Sequence, residues 1–457
     1  MEKQKRDLYD VVGIGFGPAN IALAVAAEEL KPNLDIRFIE KNPVAGWQEE
    51  MLLPESDIQN HPLRDLVTPR NPRSRYTFIN FLFENGRLFE HLNLPIAHPL
   101  RLEYHQYVSW VAQHFTRNTA YGATVERITP IINEGRITSF CIRCSDNQHL
   151  QARTVVLAPG RTPFIPPEFA EIYDERIVHF THFLRAFKEV KNRKSSPRIA
   201  VIGGSQTAVE LILHITNALP SANVVGINRN FGFRLKDTSP FSEKVYFPEF
   251  VNMFFHATPE QKAKLRNELA FTNYSASDRD VLDSLYVQIY RNKILGCTDL
   301  ILKHMTKIKS VALSQEAVNL RIENSINKSV ETLPFDLVIL ATGFKDIGTS
   351  SEDEPYPSIM EEIAPFLALN EGAISVDYNY RVRYKTDAIA HHAPIYLNGL
   401  CESSHGMGDA GSFSLLSLRS AAIVESLASY LELADTSSRY MLSSSTSAET
   451  IEKNFTN

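Results

Sequence analysis

Apolar and polar residues alternate along the chain in blocks that are typical of an α/β protein. The apolar run 9–13 predicts a buried strand, and the stretch 19–30 predicts a helix. A second apolar run at 35–40 predicts another strand, which completes a strand–helix–strand unit. A glycine-rich turn separates the first strand from the helix, so the unit has the layout of a Rossmann-like nucleotide-binding fold.

The same arrangement begins again much later in the sequence. Residues 198–202 predict a strand that leads through a glycine turn into a helix over 207–219, and 223–227 predict the next strand. Apolar strands that end in small residues, at 155–160 and 337–343, flank this second unit. The pattern therefore predicts an α/β fold with two Rossmann-like dinucleotide-binding domains.

The first turn contains Gly13 and Gly15, with Pro18 where the usual motif has its third glycine. Glycine is needed here because the backbone must turn tightly and approach a pyrophosphate, which the N-terminus of the following helix then binds. Glu40 ends the second predicted strand, at the distance from which a carboxylate reaches a ribose hydroxyl. The alternative is a purely structural turn.

The second turn repeats this device in a less complete form, from Gly203 to Thr207. The strand after it ends in Arg229 rather than in an acid, and Arg234 follows closely. Arginines at this place accept the 2′-phosphate of NADPH, which an acid would repel, although both could simply be solvated. Two dinucleotide sites in one chain suggest that NADPH reduces a flavin.

Composition narrows the class of protein without indicating its chemistry. The chain has 457 residues, 44% hydrophobic and 22% charged, with a net charge of −6. This length predicts about three domains, and the absence of any basic excess argues against a nucleic-acid partner. No apolar run approaches the ~20 residues that span a bilayer. We therefore expect a cytoplasmic enzyme without a membrane anchor.

Cysteine and histidine give no sign of a disulfide framework or a metal site. Four cysteines are too few for a disulfide framework in a chain of this length. Cys141 and Cys144 form a CxxC on a predicted strand, where residues three apart point to opposite faces, so we interpret them as packing residues. The pair His391-His392 has no acid or third ligand nearby in the sequence, and we predict no metal site there.

Eight segments in order carry a family resemblance: GIGFGPAN, WQEEMLLPESDIQN, RDLVTPRNPRSRYTFINFL, GGSQTAVE, DTSPFSEKVYFPE, FTNYS, LVILATGF and SSHGMGD. Together they resemble the flavin-dependent N-hydroxylating monooxygenases of hydroxamate siderophore biosynthesis, the ornithine and lysine N-hydroxylase type. The resemblance covers the chain from Asp10 to about Ala434. Each motif alone is modest evidence for this family, whereas eight motifs in the same order are strong evidence.

The resemblance implies an interleaved architecture and a reaction. NADPH reduces FAD, O2 then gives a flavin hydroperoxide, and the neutral amine of a small primary amine substrate attacks its distal oxygen. Relatives of this type are often tetramers, so the resemblance also implies a homo-oligomer. The implied parts are an FAD-binding domain over 1–195, an NADPH-binding domain over 196–240 and 301–335, a small mainly helical substrate region over 241–300, a second FAD-binding part with a substrate-closing segment over 336–434, and a disordered Ser/Thr-rich tail over 435–457.

The matched motifs also imply roles for individual residues. FAD would be held by Gly13, Gly15, Pro18, Asn20, Glu40, Trp47 and Met51, and NADPH by Gly203, Ser205, Gln206, Thr207, Arg229 and Arg234. The resemblance implies catalytic roles for Gln59, Asn273 and Asp409, of which the last two would also contact cofactor. Substrate would meet His61, Arg64, Asn273 and Ser414. Core packing for Trp47 and Met51, and a helix N-cap for Asn273, are the alternatives.

The chain departs from ornithine hydroxylases at the substrate. They commonly have lysine where this chain has Arg64, which keeps the charge but is longer and forked. His61 and Pro62 precede it, and the segment after Asp409 is one residue longer than usual. These changes favour a decarboxylated amine such as histamine, putrescine or cadaverine, which is the substrate we expect. The charge of Arg64 favours the alternative, L-ornithine or L-lysine.

Three other classes share part of the pattern. A Baeyer–Villiger or general flavin-containing monooxygenase has both glycine turns, but its glycine-containing signature before the second turn is missing from residues 178–184. A disulfide reductase needs a CxxC beside the flavin, whereas this CxxC lies on a predicted surface strand. A non-catalytic nucleotide-binding regulator has no use for the oxygen-handling positions that the resemblance assigns.

Overall fold

The computed structural model describes residues 8–386, 392–409 and 411–453, with side chains described as far as residue 436. The strands in this part of the chain are β1 Tyr9–Ile14, β2 Ile36–Glu40, β3 Thr119–Tyr121, β4 Val125–Asn133, β5 Arg136–Cys144, β6 His149–Leu157, β7 Ile177–His179, β8 Arg198–Ile202, β9 Asn223–Ile227, β10 Leu300–Lys303, β11 Thr306–Leu313, β12 Val318–Asn324, β13 Val330–Phe335, β14 Leu337–Leu340, β15 Leu369–Asn370, β16 Ala373–Ile374 and β17 Ile395–Leu397.

The α-helices between these strands vary widely in length. They are α1 Pro18–Leu30, α2 Phe78–Glu84, α3 Leu88–Leu92, α4 Arg101–Gln113, α5 Phe183–Arg193, α6 Gln206–Ala218, α7 Pro248–His256, α8 Pro259–Leu269, α9 Arg279–Leu295, α10 Glu402–His405 and α11 Leu416–Lys453. None of the helices in the described residues is both long and apolar enough to cross a membrane.

The first sheet is built on the predicted first unit. Its order is β3-β2-β1-β6-β5-β4, in which β3, β2, β1 and β6 run parallel to one another and β4–β6 form an antiparallel meander. The C-terminal half of β6 also pairs in parallel with β17. Helices α1 and α11 contribute apolar side chains to the core of this sheet. The late chain therefore returns to the first domain, as the interleaved architecture predicts.

The second sheet is wholly parallel, with the order β10-β9-β8-β14-β7. Helices α5, α6 and α9 pack on one face, and the antiparallel sheet β11-β12-β13 packs on the other. β7 and β14 lie outside the range predicted for the NADPH-binding domain, so the predicted boundaries at 195/196 and 335/336 cut across this sheet. The domain boundaries depend on which distant strands pair, and the local hydrophobic pattern does not show that pairing.

The last helix extends into the Ser/Thr-rich tail. α11 continues from Leu416 to Lys453, and the disorder expected for residues 435–457 stays a prediction. The segment 416–453 contains neither glycine nor proline, so nothing in it breaks a helix whose first turns are packed against the first sheet. Residues 241–300 are mainly helical, as predicted, with α9 packed in the core of the second sheet.

The two cysteines of the CxxC lie on β5, as predicted. Cys144 is buried and Cys141 is half-buried, with the burial alternating along the strand, so their side chains point to opposite faces. His391 lies outside the described residues. His392 is buried, where its Nδ1 accepts a hydrogen bond from the Ile137 N–H (3.1 Å) and its Nε2 lies 2.7 Å from Thr386 Oγ1.

Candidate functional site

The first glycine turn has the shape of an anion cradle. A Cβ on Gly13 would lie 2.4 Å from the Phe38 ring, and one on Gly15, where φ is +82°, would lie 2.2 Å from the carbonyl oxygen of Ala158. Gly17 precedes α1, and in the described chain nothing lies within 4 Å of the Cβ it lacks. The first turn of α1 carries no acid and no capping side chain among the described residues, so its N–H groups face open space.

Pro18 and Asn20 shape this turn. Pro18 occupies the first position of α1, where its missing N–H costs no hydrogen bond. Asn20 is fully buried, and its Nδ2 donates to the Gly15 carbonyl (2.7 Å) while its Oδ1 accepts from Asn398 Nδ2 (3.1 Å). The side chain of Asn20 therefore holds the backbone of the turn in place. Direct contact of either residue with a pyrophosphate stays a prediction.

Glu40 lies at the carboxyl end of β2, buried beside the turn. Its two carboxylate oxygens accept hydrogen bonds from the backbone N–H groups of Phe16 (2.7 Å) and Asn42 (2.9 Å). Each oxygen keeps a second lone pair for a ribose hydroxyl, so the predicted contact is compatible with this arrangement. Glu40 also fixes the turn itself, which sequence reasoning did not foresee.

Asp409 belongs to a buried network that reaches back to this turn. Its carboxylate accepts from the Cys401 N–H (2.9 Å) and pairs with Arg419 Nη1 (2.9 Å), and neither ionic side chain is exposed by more than 1%. Arg419 Nε donates to Asn398 Oδ1 (2.8 Å), and Asn398 in turn donates to Asn20. Both oxygens of Asp409 are engaged within the protein, so the geometry favours a positioning role over the predicted catalytic one.

The second glycine turn is similar in outline. A Cβ on Gly203 would lie 2.4 Å from the carbonyl oxygen of Ala341 at the end of β14. Ser205 precedes α6, and neither its own side chain nor an acid in the first turn occupies the helix N-terminus within the described residues. Buried Asn228 Nδ2 lies 3.6 Å from the Cβ position of Gly204 and has no hydrogen-bond partner in the part of the chain that the structure describes. This orphaned donor and the uncapped helix fit a phosphate-bearing dinucleotide.

Gln206 is used inside the protein. Its backbone N–H donates to the Ala276 carbonyl (3.0 Å), its Oε1 accepts from the Asp278 N–H (2.8 Å), and its Nε2 donates to Glu210 (3.1 Å). It therefore joins α6 to the segment that precedes α9. Thr207, in the first turn of α6, is half-buried and remains a predicted phosphate contact.

A chain of contacts links this helix to the predicted flavin segment. Gln59, with φ at +51°, donates from Nε2 to Asp278. Arg101 at the start of α4 binds both oxygens of Glu210 (2.9 and 3.0 Å) and donates to the Met51 carbonyl (3.0 Å). The Met51 side chain packs in the core of the second sheet, which favours the packing alternative for this residue. Arg101 and Glu210 were missed because nothing local in the sequence marks them.

Trp47 lies half-buried among aromatic side chains. Its ring meets those of Tyr104 and Phe413 edge-on, with centroids 6.0 and 5.0 Å apart, and its backbone carbonyl lies 2.9 Å from His105 Nδ1. Trp47 thus connects the segment before Gln59 with the late segment that contains Phe413. A contact with the flavin stays a prediction for this residue.

The two arginines predicted to bind the 2′-phosphate have different surroundings. Both are exposed, just beyond the carboxyl end of β9. The Arg234 guanidinium lies 4.6 Å over the Phe271 ring, and its carbonyl accepts from the Ser277 N–H (2.8 Å). Arg229 makes no side-chain contact of this kind in the described residues, so it is free to meet a phosphate.

Arg64 has a half-buried guanidinium that makes no hydrogen bond or ion pair within the described residues. It lies 5.8 Å over the Tyr246 ring, which faces it from the helical region. The backbone carbonyl of Arg64 accepts from Asn60 Nδ2 (2.8 Å), and Asn60 Oδ1 accepts from buried Ser414 (3.3 Å). Two of the predicted substrate residues, Arg64 and Ser414, are therefore connected through Asn60.

Asp65 anchors the backbone next to Arg64. It is fully buried and accepts hydrogen bonds from the N–H groups of Val67, Thr68 and Phe78 and from the Thr68 hydroxyl, at 2.6–2.8 Å. Burial raises the pKa of this carboxyl, while the four donors oppose the shift. The sequence pattern did not single out this residue, although an acid directly after a candidate ligand is a usable signal.

His61 and Asn273 complete the predicted substrate positions. His61 is exposed, and its Nδ1 accepts from the Leu63 N–H (3.2 Å). Desolvation, and after it the charge of Arg64, lowers the pKa of His61, so the imidazole is neutral at pH 7. Asn273 follows the short helix Ala270–Thr272 as its C-cap, so the N-cap alternative is wrong. Its half-buried amide makes no hydrogen bond in the described chain.

Three comparisons with known proteins agree with this geometry. The model of the family described as L-lysine 6-monooxygenase/L-ornithine 5-monooxygenase matches residues 7–346. The chain is 32% identical to an L-ornithine N(5)-monooxygenase of Pseudomonas aeruginosa over 93% of this chain and 95% of the relative.

Two solved structures have the same fold over nearly their whole length. An ornithine N-hydroxylase from Kutzneria sp. 744, described with reduced FAD, NADP+ and L-ornithine, has a TM-score of 0.84 at 30% identity and covers 92% of this chain and 99% of that one. The L-lysine 6-monooxygenase of Pseudomonas syringae has a TM-score of 0.81 at 31% identity, with 92% and 99% covered. The similarity extends over both Rossmann-like sheets and the helical region.

Proposed function

Because the chain belongs to the L-lysine 6-monooxygenase/L-ornithine 5-monooxygenase family, we propose that it hydroxylates the side-chain amine of L-ornithine for siderophore biosynthesis. It is a flavin-dependent N-hydroxylating monooxygenase that uses FAD, NADPH and O2. The relatives favour L-ornithine over the decarboxylated amines to which the departures near His61 and Asp409 had pointed. A homo-oligomeric state and a cytoplasmic location stay predictions.

The observation that supports an amino-acid substrate is the unpaired guanidinium of Arg64. A half-buried arginine without an acid in the described chain is expected to meet an anion, and its planar fork matches a carboxylate. L-Ornithine carries such a carboxylate, whereas histamine, putrescine and cadaverine do not. Asn60 holds the carbonyl of Arg64 and Asp65 anchors the backbone that follows it, so the backbone that carries the guanidinium is fixed.

The residues present fit both cofactors. The uncapped start of α1 beside Gly17 would hold the FAD pyrophosphate, and the uncapped start of α6 beside Asn228 would hold a phosphate of NADPH. When bound, the flavin supplies the activation of O2 and NADPH supplies the hydride. The protein's own task is to place the amine, exclude water and remove the proton from the ammonium group.

The Tyr246 ring lies beneath the Arg64 guanidinium. Burial, and after it the charges of Glu243 and Glu402, raises the pKa of the Tyr246 hydroxyl well above its usual value, so it stays protonated and donates to the Thr272 carbonyl (3.1 Å). This hydrogen bond connects Tyr246 to the segment that carries Asn273. Arg64 and the predicted substrate residue Asn273 are thereby connected through Tyr246.

The test is a substrate panel with hydroxylamine product and NADPH oxidation measured separately. We expect L-ornithine to give the highest kcat/KM among L-ornithine, L-lysine, putrescine, cadaverine and histamine. Arg64→Ala should raise the KM for L-ornithine by about 10–100-fold, the loss expected for a charge-assisted hydrogen bond, with a small change in kcat. Arg64→Lys should recover part of this loss.

The same variant provides its own control. Arg64→Ala should leave the kinetics with putrescine nearly unchanged, since putrescine has no carboxylate for Arg64 to bind. If histamine or a diamine is preferred, the ornithine assignment is wrong while the N-hydroxylase activity stands. If L-lysine is preferred, the role of Arg64 in binding the substrate carboxylate stands, and the preferred side-chain length differs from this proposal.

A further inference from the structure

Four polar side chains meet where the chain passes between the two sheets. Arg161 follows β6, Asp346 follows β14, Tyr274 follows Asn273 in the helical region, and Glu402 begins α10. Arg161 forms an ion pair with Asp346, and its Nη1 lies 3.4 Å from the Tyr274 hydroxyl. That hydroxyl donates to Glu402 Oε2. We call these four residues the junction cluster.

Backbone contacts hold the junction cluster in place. The two crossing segments pair with each other, since the Phe164 N–H donates to the Gly343 carbonyl (3.0 Å) and the Lys345 N–H to the Thr162 carbonyl (2.8 Å). The Arg161 guanidinium also lies over two aromatic rings, that of Tyr274 at 5.9 Å and that of Phe344 at 5.6 Å. The cluster is therefore held in one arrangement, in which Glu402 is buried and Asp346 is partly exposed.

The cluster holds two acids and one cation. Arg161 is paired with Asp346, and Glu402, which is 4% exposed, has the neutral Tyr274 hydroxyl as its hydrogen-bond partner. The further acid that faces Glu402 is Asp409, which Arg419 neutralises. A buried carboxyl without a cation of its own is more stable in the protonated form.

The surrounding charges give the same direction. Burial first, and then repulsion from Asp346, raises the pKa of Glu402 to about 8, against the opposing effects of Arg161 and Tyr274. Tyr246, which also senses Glu402, is itself neutral. Glu402 therefore carries a proton at pH 7, beside the segment whose Asn273 is a predicted substrate contact.

The reaction needs a proton to be held in this way. In the balanced overall change, R–NH3+, NADPH and O2 give R–NHOH, NADP+ and H2O. The substrate ammonium must lose one proton before its nitrogen can be oxidised, and the oxygen atom that leaves as water must gain one. The substrate nitrogen therefore loses one proton and the leaving oxygen gains one. Because these are different atoms, the reaction needs a group that can hold a proton between them.

We propose that Glu402, acting through the Tyr274 hydroxyl, holds this proton. In the first transfer, which precedes oxidation of the amine, the Glu402 O–H bond breaks and its proton moves to Tyr274, whose own proton forms an O–H bond on the oxygen that leaves as water. Glu402 is left as a carboxylate, to which the Tyr274 hydroxyl donates, and it is reprotonated from the substrate ammonium. In the second transfer, an N–H bond of the ammonium breaks, its proton moves to Tyr274, and Tyr274 passes its own proton to the carboxylate. The neutral amine is thereby formed after the substrate has bound. In this scheme Glu402 exchanges protons through Tyr274 and not by direct contact with the substrate, and the inference rests on the proposed function.

The first test measures the proton itself, without turnover. Infrared difference titration of the FAD-loaded, substrate-free protein should show a protonated carboxyl band that disappears as the pH rises through about 8. Glu402→Gln should remove this band while keeping the size of the side chain and its contact with Tyr274. The matched control is Glu354→Gln, which replaces a half-buried acid that accepts from Thr162 outside the cluster, and it should leave the band in place.

The second test measures turnover. Wild-type kcat should fall above about pH 8, where Glu402 loses its proton. Glu402→Gln should lower kcat at pH 7 by at least about 100-fold, with little change in KM, and its kcat should rise with pH as bulk water deprotonates the amine. Tyr274→Phe should keep the infrared band and lose the rate.

Two results would overturn the inference: no titrating band that depends on Glu402, or a Glu402→Gln enzyme with the wild-type kcat and pH profile. The failure of the proposed function would look different. In that case the band would titrate as described, while the wild-type protein would form no hydroxylamine from any amine of the panel.

Discussion

The two glycine turns resemble each other in sequence, yet they are supported in different ways. The first turn is held by residues of its own domain, because Asn20, Asn398 and Arg419 connect it to Asp409. The second turn is held from outside its sheet. Gln206 on α6 binds the segment before α9, and Glu210 on α6 binds Arg101 of the first domain. The first arrangement fixes the shape of a binding site, whereas the second fixes the position of one site relative to the other.

The largest effect is expected from breaking the support of the first turn. Arg419→Met would strand the buried carboxylate of Asp409, a loss worth roughly 3–5 kcal/mol of folding free energy. We expect the variant to lose FAD on gel filtration and to melt at a markedly lower temperature. Flavin absorbance per protein and Tm in excess FAD measure the two effects.

The control is an arginine whose acid partner is exposed. Arg127 pairs with Glu362 on the surface, with the two side chains 52% and 33% exposed, so Arg127→Met should change stability by less than about 0.5 kcal/mol. Full retention of FAD by Arg419→Met would show that the first turn does not depend on the late chain. The contrast between the two turns would then be wrong.

Breaking the support of the second turn should have a smaller and more selective effect. Arg101→Met leaves FAD in place but removes the bidentate contact that positions α6, so we expect anaerobic flavin reduction by NADPH to slow about 10-fold. Reoxidation by O2 after chemical reduction should be unchanged. Stopped-flow absorbance measures both half-reactions.

The double variant Arg101→Met/Glu210→Gln separates position from stability. The single variant strands Glu210, whose pKa burial already raises, whereas the double variant removes that charge. If the double variant recovers Tm but not the rate of flavin reduction, the pair positions the second site. Recovery of both would mean that the pair only stabilises the fold.

The sequence predicted what depends on neighbours along the chain. The strands and turns around Gly15 and Gly203 follow from local hydrophobicity and glycine, and the structure confirms these strands and helices. Arg101, Arg419 and Glu402 could not be predicted in this way. Each of them acts through a partner that is brought near by the fold, and a single charged residue in a helical pattern looks the same whether it is solvated or buried.

The smallest effect is expected from the exposed arginines beside the second turn. Arg229 has a guanidinium without a contact in the described chain, so Arg229→Ala should lower the preference for NADPH over NADH by about 5-fold, through the loss of an exposed ion pair with the 2′-phosphate. Arg234→Ala should have less effect, because that guanidinium is already engaged over Phe271. The ratio of kcat/KM for the two nucleotides measures this preference. A larger loss from Arg234→Ala would mean that the Phe271 ring holds the Arg234 guanidinium in place to bind the 2′-phosphate, instead of keeping it away from the phosphate.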